Sequence, residues 1–433
     1  MKTVGIIAEY NPFHNGHAYQ IQKAKEAAGA DFAVIVMSPD FVQRGEPALV
    51  DKYSRAKMAL SSGADLVIEL PVCYACGSAE YFAEGGISLL RQLGCVDALS
   101  FGCETDDPAL FSTLADLLLQ EPEGYRQKLR EYQKQGMTFP KARETALLGY
   151  LSQNRKVRTF ISKDSSCAEL PVSDVSALLS NPNNILGLEY AKALKKQNSS
   201  ISILPVQRQG SGYHSFDFDQ EFCSASAIRA KLTTCTDAAS AFSMLAPFLP
   251  ETSLRILKEK ALSSGFVTME QFSSLLHYKL LSEAAMGFDS YLDISSDLSD
   301  RITRLLSEYD SFHSFVSLLK TRQLTEARIR RALLHILLNI TGADTEEYRL
   351  QGIIFYARVL GFRREAGPLL HAIKENASVP MITKLADAKN ILGGPALRML
   401  TQDIYASHVY QLPYGSSHGK ALQNEYTCSP VIF

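Results

Sequence analysis

The sequence predicts an α/β protein: a doubly wound parallel sheet in the N-terminal part, followed by a mostly α-helical domain. Three observations carry this. Short continuous apolar runs alternate with helix-spaced segments through the first hundred residues, as expected of parallel strands buried on both faces. Cap and breaker residues punctuate the alternation where helices should start and strands should stop. Beyond residue 240 the alternation ceases and helical spacing continues.

Thr3 to Ala8 is an apolar, β-branched strand, and His17 to Ala28 has helical spacing. Phe32 to Met37 is a second strand. Asp51 to Ser62 is a helix opened by an acidic N-cap, and Leu66 to Leu70 is a strand stopped by Pro71. Ala79 to Leu93 is helical, and Ala98 to Phe101 is a fourth strand ended by Gly102. In such sheets ligands bind beyond the carboxyl ends of the strands, so the loops after Ala8, Met37, Leu70 and Phe101 should line one crevice. From Pro108 to Gln153 the pattern is helical and more polar, and Asn184 to Lys196 is a further helix. Ile201 to Gln207 reads as a strand and Ser224 to Lys231 as a short helix. The expected units are therefore 1–240, with a helical insertion over about 105–200, and 241–433. In the second unit, Ala239 to Leu245, Glu251 to Leu262, Met269 to Ala285, Ser299 to Leu319, Glu326 to Ile340, Tyr348 to Leu360 and Pro368 to Ile373 all favour helix.

Composition narrows the function classes. The chain has 433 residues, 46% hydrophobic and 21% charged, enough apolar material for roughly two to three domains. No apolar stretch is long enough to span a bilayer, and Asn11 and His14 interrupt the first apolar run before a signal peptide could form. The net charge of −2 argues against a uniformly basic protein but leaves room for a local basic face. Cys73 and Cys76 form one C-x-x-C among eight cysteines. No second pair or His partner accompanies it, so core thiols in a reducing cytoplasm are the expectation, with no membrane or protein partner.

The chemistry concentrates at Gly5-Ile6-Ile7-Ala8-Glu9-Tyr10-Asn11-Pro12-Phe13-His14-Asn15-Gly16-His17. A strand ends, a loop follows, and a helix begins near Gly16. Helix N-termini present unpaired N–H groups and partial positive charge to phosphate, and Gly16 permits close backbone approach. His14 and His17, three apart, project to one side. Two imidazoles aimed at one phosphate suit attack on the α-phosphorus of ATP, where they would stabilise developing charge. Two histidines at this spacing also suit a metal, or plain packing. The Walker A pattern is absent. Phe222-Cys223-Ser224-Ala225-Ser226-Ala227-Ile228-Arg229 places two hydroxyls and an arginine at a second helix start. Ser there can simply cap the helix; after an H-x-G-H it is similar to the S-x-S/T-x-I-R element that grips the outer phosphates in nucleotidyltransferases, through Ser226 and Arg229 here.

The N-terminal third resembles the H-x-G-H nucleotidyltransferase superfamily, and more narrowly the sequence resembles the tRNA(Met) cytidine acetate ligases. Five stretches carry the match: Glu9 to His17, Phe41-Val42-Gln43-Arg44-Gly45-Glu46-Pro47-Ala48, Asp65 to Pro71, Asn181-Pro182-Asn183-Asn184-Ile185-Leu186-Gly187, and Ser224 to Arg229. The resemblance implies that acetate and ATP form acetyl-adenylate and pyrophosphate, and that N4 of the wobble cytidine of elongator tRNA(Met) is then acetylated. It implies ATP along Ile7, Ala8, Glu9, Tyr10, Asn11, His14, Asn15, Gly16, His17 and Gln20, and near Gly102, Asn184 and Arg208, with Asn183 as the alternative amide. His14 and His17 would be catalytic. Mg²⁺ is expected only because ATP brings it, with no dedicated protein cage. One departure is Met37-Ser38-Pro39-Asp40-Phe41: the family usually has glycine in this loop, and Pro39 lacks an N–H.

Arg44 could receive a carboxylate or phosphate, or be an exposed loop residue. In the helical domain Lys320, Arg322, Arg328, Arg330 and Arg331 cluster, with Glu326 alone offsetting them in sequence. With the resemblance, this cluster is the expected tRNA face; a solvated helix surface is the other reading. Arg363-Arg364 is a second candidate. The competing function is a small-molecule adenylyltransferase, which the long helical half disfavours.

Overall fold

The computed structural model describes residues 1–154, 159–161, 167–169, 172–208, 223–235, 237–418 and 423–433. The main sheet grows from strands β1 (Thr3–Ala8), β2 (Phe32–Met37), β5 (Leu66–Glu69), β6 (Ala98–Cys103) and β9 (Ser202–Gln207), all parallel. A small antiparallel hairpin, β3 (Phe41–Val42) and β4 (Glu46–Pro47), projects after β2. Another pair, β7 (Thr159–Ile161) and β8 (Cys167–Glu169), stands apart from the main sheet. Val4, Ile6, Val34, Ile35, Leu66 and Ile68 are all fully buried, which is why these runs are apolar on both faces.

Helices α1 (Asn15–Ala28), α2 (Lys52–Leu60), α3 (Val72–Ala75) and α4 (Ala79–Gln92) connect the first strands. Asp51 caps α2, its carboxylate accepting the Ser54 N–H at 2.9 Å, and Ser78 caps α4. Between β6 and β9 lie α5 (Pro108–Gln120), α6 (Glu123–Lys134), α7 (Phe139–Gln153), α8 (Val172–Ser180) and α9 (Pro182–Lys196). A helix α10 (Ala225–Thr234) follows β9. Strand order runs β5-β2-β1-β6-β9, so the order in which the chain adds strands switches from one side of β1 to the other at β6. That switch point places a ligand crevice outside the carboxyl ends of β1 and β6.

The second half differs from expectation in three places. Tyr348 to Leu360 does not form one helix. A helix ends at Gln351, Gly352 (φ 140°) and Ile353 (φ 71°) break it, and β10 (Ala357–Phe362) follows, antiparallel to β5. β11 (Met381–Ile382) and β12 (Val431–Ile432) both pair with β10. A short, largely apolar run interrupted by Arg358 does not distinguish buried strand from buried helix by spacing; Gly352 was the readable stop. Ser299 to Leu319 splits into the helices Ser296–Leu305 and Phe312–Leu319, the second capped by Ser311, whose hydroxyl accepts the Ser314 N–H at 3.2 Å. Met269–Phe272 is a 3₁₀ turn before the Ser273–Glu283 helix.

A buried ionic network ties β10 and the C-terminal tail to the first half. Lys52 Nζ lies 2.8 Å from Glu69, 3.1 Å from Glu425 and 2.7 Å from the Ser407 hydroxyl. Arg358 donates to Glu425 and to the Tyr53 hydroxyl (3.0 Å); its Nη1 is 2.9 Å from Glu69, out of line for a hydrogen bond. No helix among the described residues is long and apolar enough to cross a membrane.

Candidate active site

At the start of α1 the backbone and both histidines are mutually fixed. His14 is the N-cap: its Nδ1 accepts the Gly16 N–H at 3.1 Å, and its own N–H donates to His17 Nδ1 at 3.3 Å. The rings stack at 3.8 Å between centroids, and Tyr10 and Phe13 pack against His17. Because both Nδ1 atoms accept, a neutral ring carries its proton on Nε2. Each imidazole is then a donor pointing away from the loop. Burial, and secondarily Arg208, lowers the His14 pKa to about 3. Burial, then His14 and Arg208, also pulls His17 well below its ordinary value. Two neutral N–H donors on a helix N-terminus suit an anion that accepts hydrogen bonds.

They open onto a crevice of about 550 Å³ including its open mouth. Six residues expected at the nucleotide line it: His14, Gly16, His17, Gln20, Gly102 and Arg208. Ser224, one of the two hydroxyls read at the second helix start, also lines it, together with Tyr19, Val206, Gln207 and Cys223, to which the sequence reading gave no role. Val206 and Gln207 end β9 beside β6, so the carboxyl-end rule could have found them.

Other expected residues hold the surrounding loops. Ile7 is buried against the place Gly86 leaves open, and the Ala8 carbonyl accepts the Ser38 N–H at 3.0 Å. Tyr10 is 1% exposed. Asn11 Oδ1 accepts the Leu49 N–H at 2.8 Å, and Asn15 Nδ2 donates to the Pro247 carbonyl at 2.8 Å. Asn184 is fully buried and accepts the Glu104 N–H at 2.9 Å, so it shapes the loop after β6; Asn183 donates to the Glu104 carboxylate at 2.8 Å and faces the second groove described below. Ser224, not Ser226, caps α10, accepting the Ala227 N–H at 3.2 Å; Ser226 is half-buried on its first turn. Arg229 donates to the Asn11 carbonyl at 2.7 Å and to Glu46 at 3.0 Å, so its fork braces the loop. Phe222 lies outside the described residues. The Pro39 loop is held by the buried Arg55, which donates to the carbonyls of Glu9 (2.6 Å), Ser38 (3.0 Å) and Pro39.

A second, larger groove, about 3710 Å³ including its open mouth, runs between the α5–α9 insertion, the β3–β4 hairpin and the Glu326–Leu338 helix. Arg44, Arg143, Arg328, Arg330 and Arg331 all line it. Glu326 is not the only offset to this cluster, as the sequence suggested. Asp293 lies across from it, pairing with Arg331 at 2.9 Å, while its carbonyl accepts from Arg328 at 3.3 Å; Arg330 pairs with Glu326 at 2.9 Å. Asp293 sits thirty-odd residues upstream and could not be paired from spacing. Lys320 and Arg322 are exposed. Arg363 and Arg364 are not among the groove residues, and Arg363 lies 3.6 Å from Glu365.

The hairpin touches the arginine helix through Gly45. Its φ is 73°, and a Cβ would lie 2.5 Å from the Arg331 backbone nitrogen. Gly45→Ala should therefore cost about 2–4 kcal/mol, combining left-handed strain with overpacking against rigid backbone. Urea denaturation measures it, and an effect under about 0.5 kcal/mol, typical of a free surface site, would contradict this packing.

Cys73 and Cys76 are buried free thiols, pushed well above their ordinary pKa by burial. Among the described residues no group of three or more His, Cys, Asp or Glu could hold a metal.

Residues 1–425 match the HIGH Nucleotidyl Transferase family. A protein of Thermoanaerobacter pseudethanolicus, named tRNA(Met) cytidine acetate ligase, is 39% identical over 418 residues, 96% of each chain. One of the same name from Acetivibrio thermocellus is 36% identical over 433 residues, the whole of both chains. The crystal structure of Thermotoga maritima TmcAL bound with alpha-thio ATP superposes with a TM-score of 0.88 at 29% identity, covering both chains completely.

Proposed function

Since the chain belongs to the tRNA(Met) cytidine acetate ligase family, within the HIGH nucleotidyltransferases, we propose that it activates acetate with ATP and acetylates N4 of the wobble cytidine of elongator tRNA(Met). The observation that carries the chemistry is the pair of neutral imidazoles at the α1 N-terminus, each with Nδ1 satisfied by backbone and Nε2 free to donate. A carboxylate oxygen of acetate attacks the α-phosphorus, pyrophosphate leaves, and the two Nε2–H groups stabilise charge on the α-phosphate oxygens. Arg208, which lines the same crevice and whose charge acts on both rings, supplies a fixed positive charge there. Among the described residues no carboxylate lines this crevice; Mg²⁺ would come bound to ATP.

Residues 1–240 carry the ATP chemistry in this reading, with the insertion forming one wall of the large groove and 241–433 the other. The water-accessible space in that groove, about 1440 Å³, exceeds the roughly 300–1,000 Å³ typical of small-ligand sites, which favours a macromolecular acceptor over a small-molecule one. The cytoplasm, where tRNA functions, is the compartment this reading requires.

Pyrophosphate exchange into ATP tests the first half-reaction. It should require acetate, and exchange that is independent of acetate even with elongator tRNA(Met) present would defeat the assignment. For the tRNA, Lys320→Glu with Arg322→Glu should weaken binding and reduce the salt slope by about 0.7–0.9 per lost phosphate contact. An unchanged slope in filter binding would remove those two residues from the tRNA face.

A further inference from the structure

Glu9 stands one residue beyond the carboxyl end of β1, yet is not among the residues lining the histidine crevice. Its Oε1 accepts the Gln43 N–H at 3.1 Å, and Gln43 lines the large groove beside Arg44 and Glu46. Neither Glu9 nor Tyr190 lines the groove itself; Gln43, whose N–H the carboxylate accepts, stands between Glu9 and the groove. Among the polar groups buried without a hydrogen-bond partner among the described residues are the side-chain amide Nε2 of Gln43, whose backbone N–H Glu9 accepts, and the hydroxyl of Tyr190; the Tyr10 hydroxyl and Asn11 Nδ2, next along the chain from Glu9, are others. Tyr190 is 1% exposed, and the Glu9 charge acts on its hydroxyl. Buried polar groups in native proteins are nearly always paired. Orphans flanking one carboxylate therefore point to a polar ligand that completes the set.

The Watson–Crick edge of cytosine matches that set. Its N4 amino group donates, and N3 and O2 accept. A carboxylate is the natural acceptor for cytosine N4, and an amide N–H serves N3 or O2. Uracil would turn a carbonyl toward the carboxylate. Resting on the function proposed above, we infer that Glu9 and Gln43 form the subsite for the acceptor cytosine, and that Glu9 is the base that takes the N4 proton.

N4 attacks the carbonyl carbon of acetyl-adenylate and the N–C bond forms. Glu9 accepts the proton lost from nitrogen. The bond from the acyl carbon to the phosphate oxygen breaks, AMP leaves with the electron pair, and the Glu9 proton passes to solvent. Burial raises the Glu9 carboxyl above its ordinary value, toward the range a base needs. Arg229 and Arg44 pull it down, Glu46 pushes it up, and the Gln43 N–H lowers it. Arg55, Cys76 and Tyr190 face it from α2, α3 and α9. The ionised form is the active one, so transfer should rise with pH through an ionisation above the usual carboxylate range.

The test is single-turnover transfer from preformed acetyl-adenylate to elongator tRNA(Met), followed from acid to neutral pH. Glu9→Gln should slow transfer about 10²- to 10⁴-fold and abolish the pH rise. Gln43→Met should raise the half-saturating tRNA concentration about tenfold, the discrimination one base contact provides. An ATP-induced thermal shift checks that each variant folds. Transfer by Glu9→Gln at the parent rate would overturn the inference, as would loss in Glu104→Gln with retention in Glu9→Gln, which would move the base to the end of β6. A parent enzyme whose transfer is flat in pH would also overturn it, whatever the variants do. A parent enzyme that makes no acetylcytidine at all would instead defeat the proposed function.

Discussion

His14→Ala should lower acetate-dependent pyrophosphate exchange about 10²- to 10³-fold, the usual cost of deleting one donor to developing charge. The same change removes the α1 cap, costing about 1 kcal/mol of stability, because His14 Nδ1 accepts the Gly16 N–H. The two losses separate in His14→Asn. Asparagine is among the best N-caps, so stability should return while exchange stays low. Urea denaturation and exchange, measured on both variants, decide it; recovery of exchange in His14→Asn would mean that the ring is only a cap. A pH effect follows with a defined sign. The ordinary histidine value is 6.5, and in the folded protein His14 lies at about 3. Below about pH 6.5 the unfolded chain takes up a proton that the folded chain refuses. Stability present at neutral pH should therefore fall progressively toward pH 3, and His14→Asn should remove its share of that slope.

Lys52→Met should cost about 3–5 kcal/mol, the range for breaking a buried ion pair from one side. Lys52 is 1% exposed and bridges Glu69 and Glu425; without it Arg358 alone faces two buried carboxylates. Desolvation works to raise the Glu425 carboxyl, but Lys52 and Arg358 hold it down at about 2. Its contribution is therefore present above its ordinary 4.5 and lost as pH falls toward 2. Lys52→Met/Glu425→Gln should recover much of the loss, since matched removal avoids the uncompensated charge. Equal stability of single and double variants, by urea denaturation at neutral pH, would show that the network carries no coupling.

The sequence was most legible where local signals and tertiary role coincide. β1 and β2 occupy the expected residues, and His14, Gly16 and His17 meet in one crevice, because strand, loop and cap are contiguous. It was least legible where a side chain's partner lies far along the chain. Arg229 reads as a phosphate fork but braces Asn11 and Glu46. Asn184 reads as a ligand contact but holds the Glu104 backbone. Arg331 reads as free charge but meets Asp293. β10 escaped because its apolar run is short and its pairing partner β5 stands hundreds of residues earlier.

That pairing has a consequence for how the protein is made. During synthesis, β5 is complete long before β10 emerges, so the growing chain carries an open strand edge of Leu66, Val67 and Ile68, with the Glu69 carboxylate still without Arg358. Such edges recruit other strands, and closing a contact this distant in sequence is slow. Ribosome-stalled or truncated chains ending before Ala357 should accordingly be targets for chaperones or aggregation rather than partly active enzymes, and the catalytic half should resist expression as an isolated fragment.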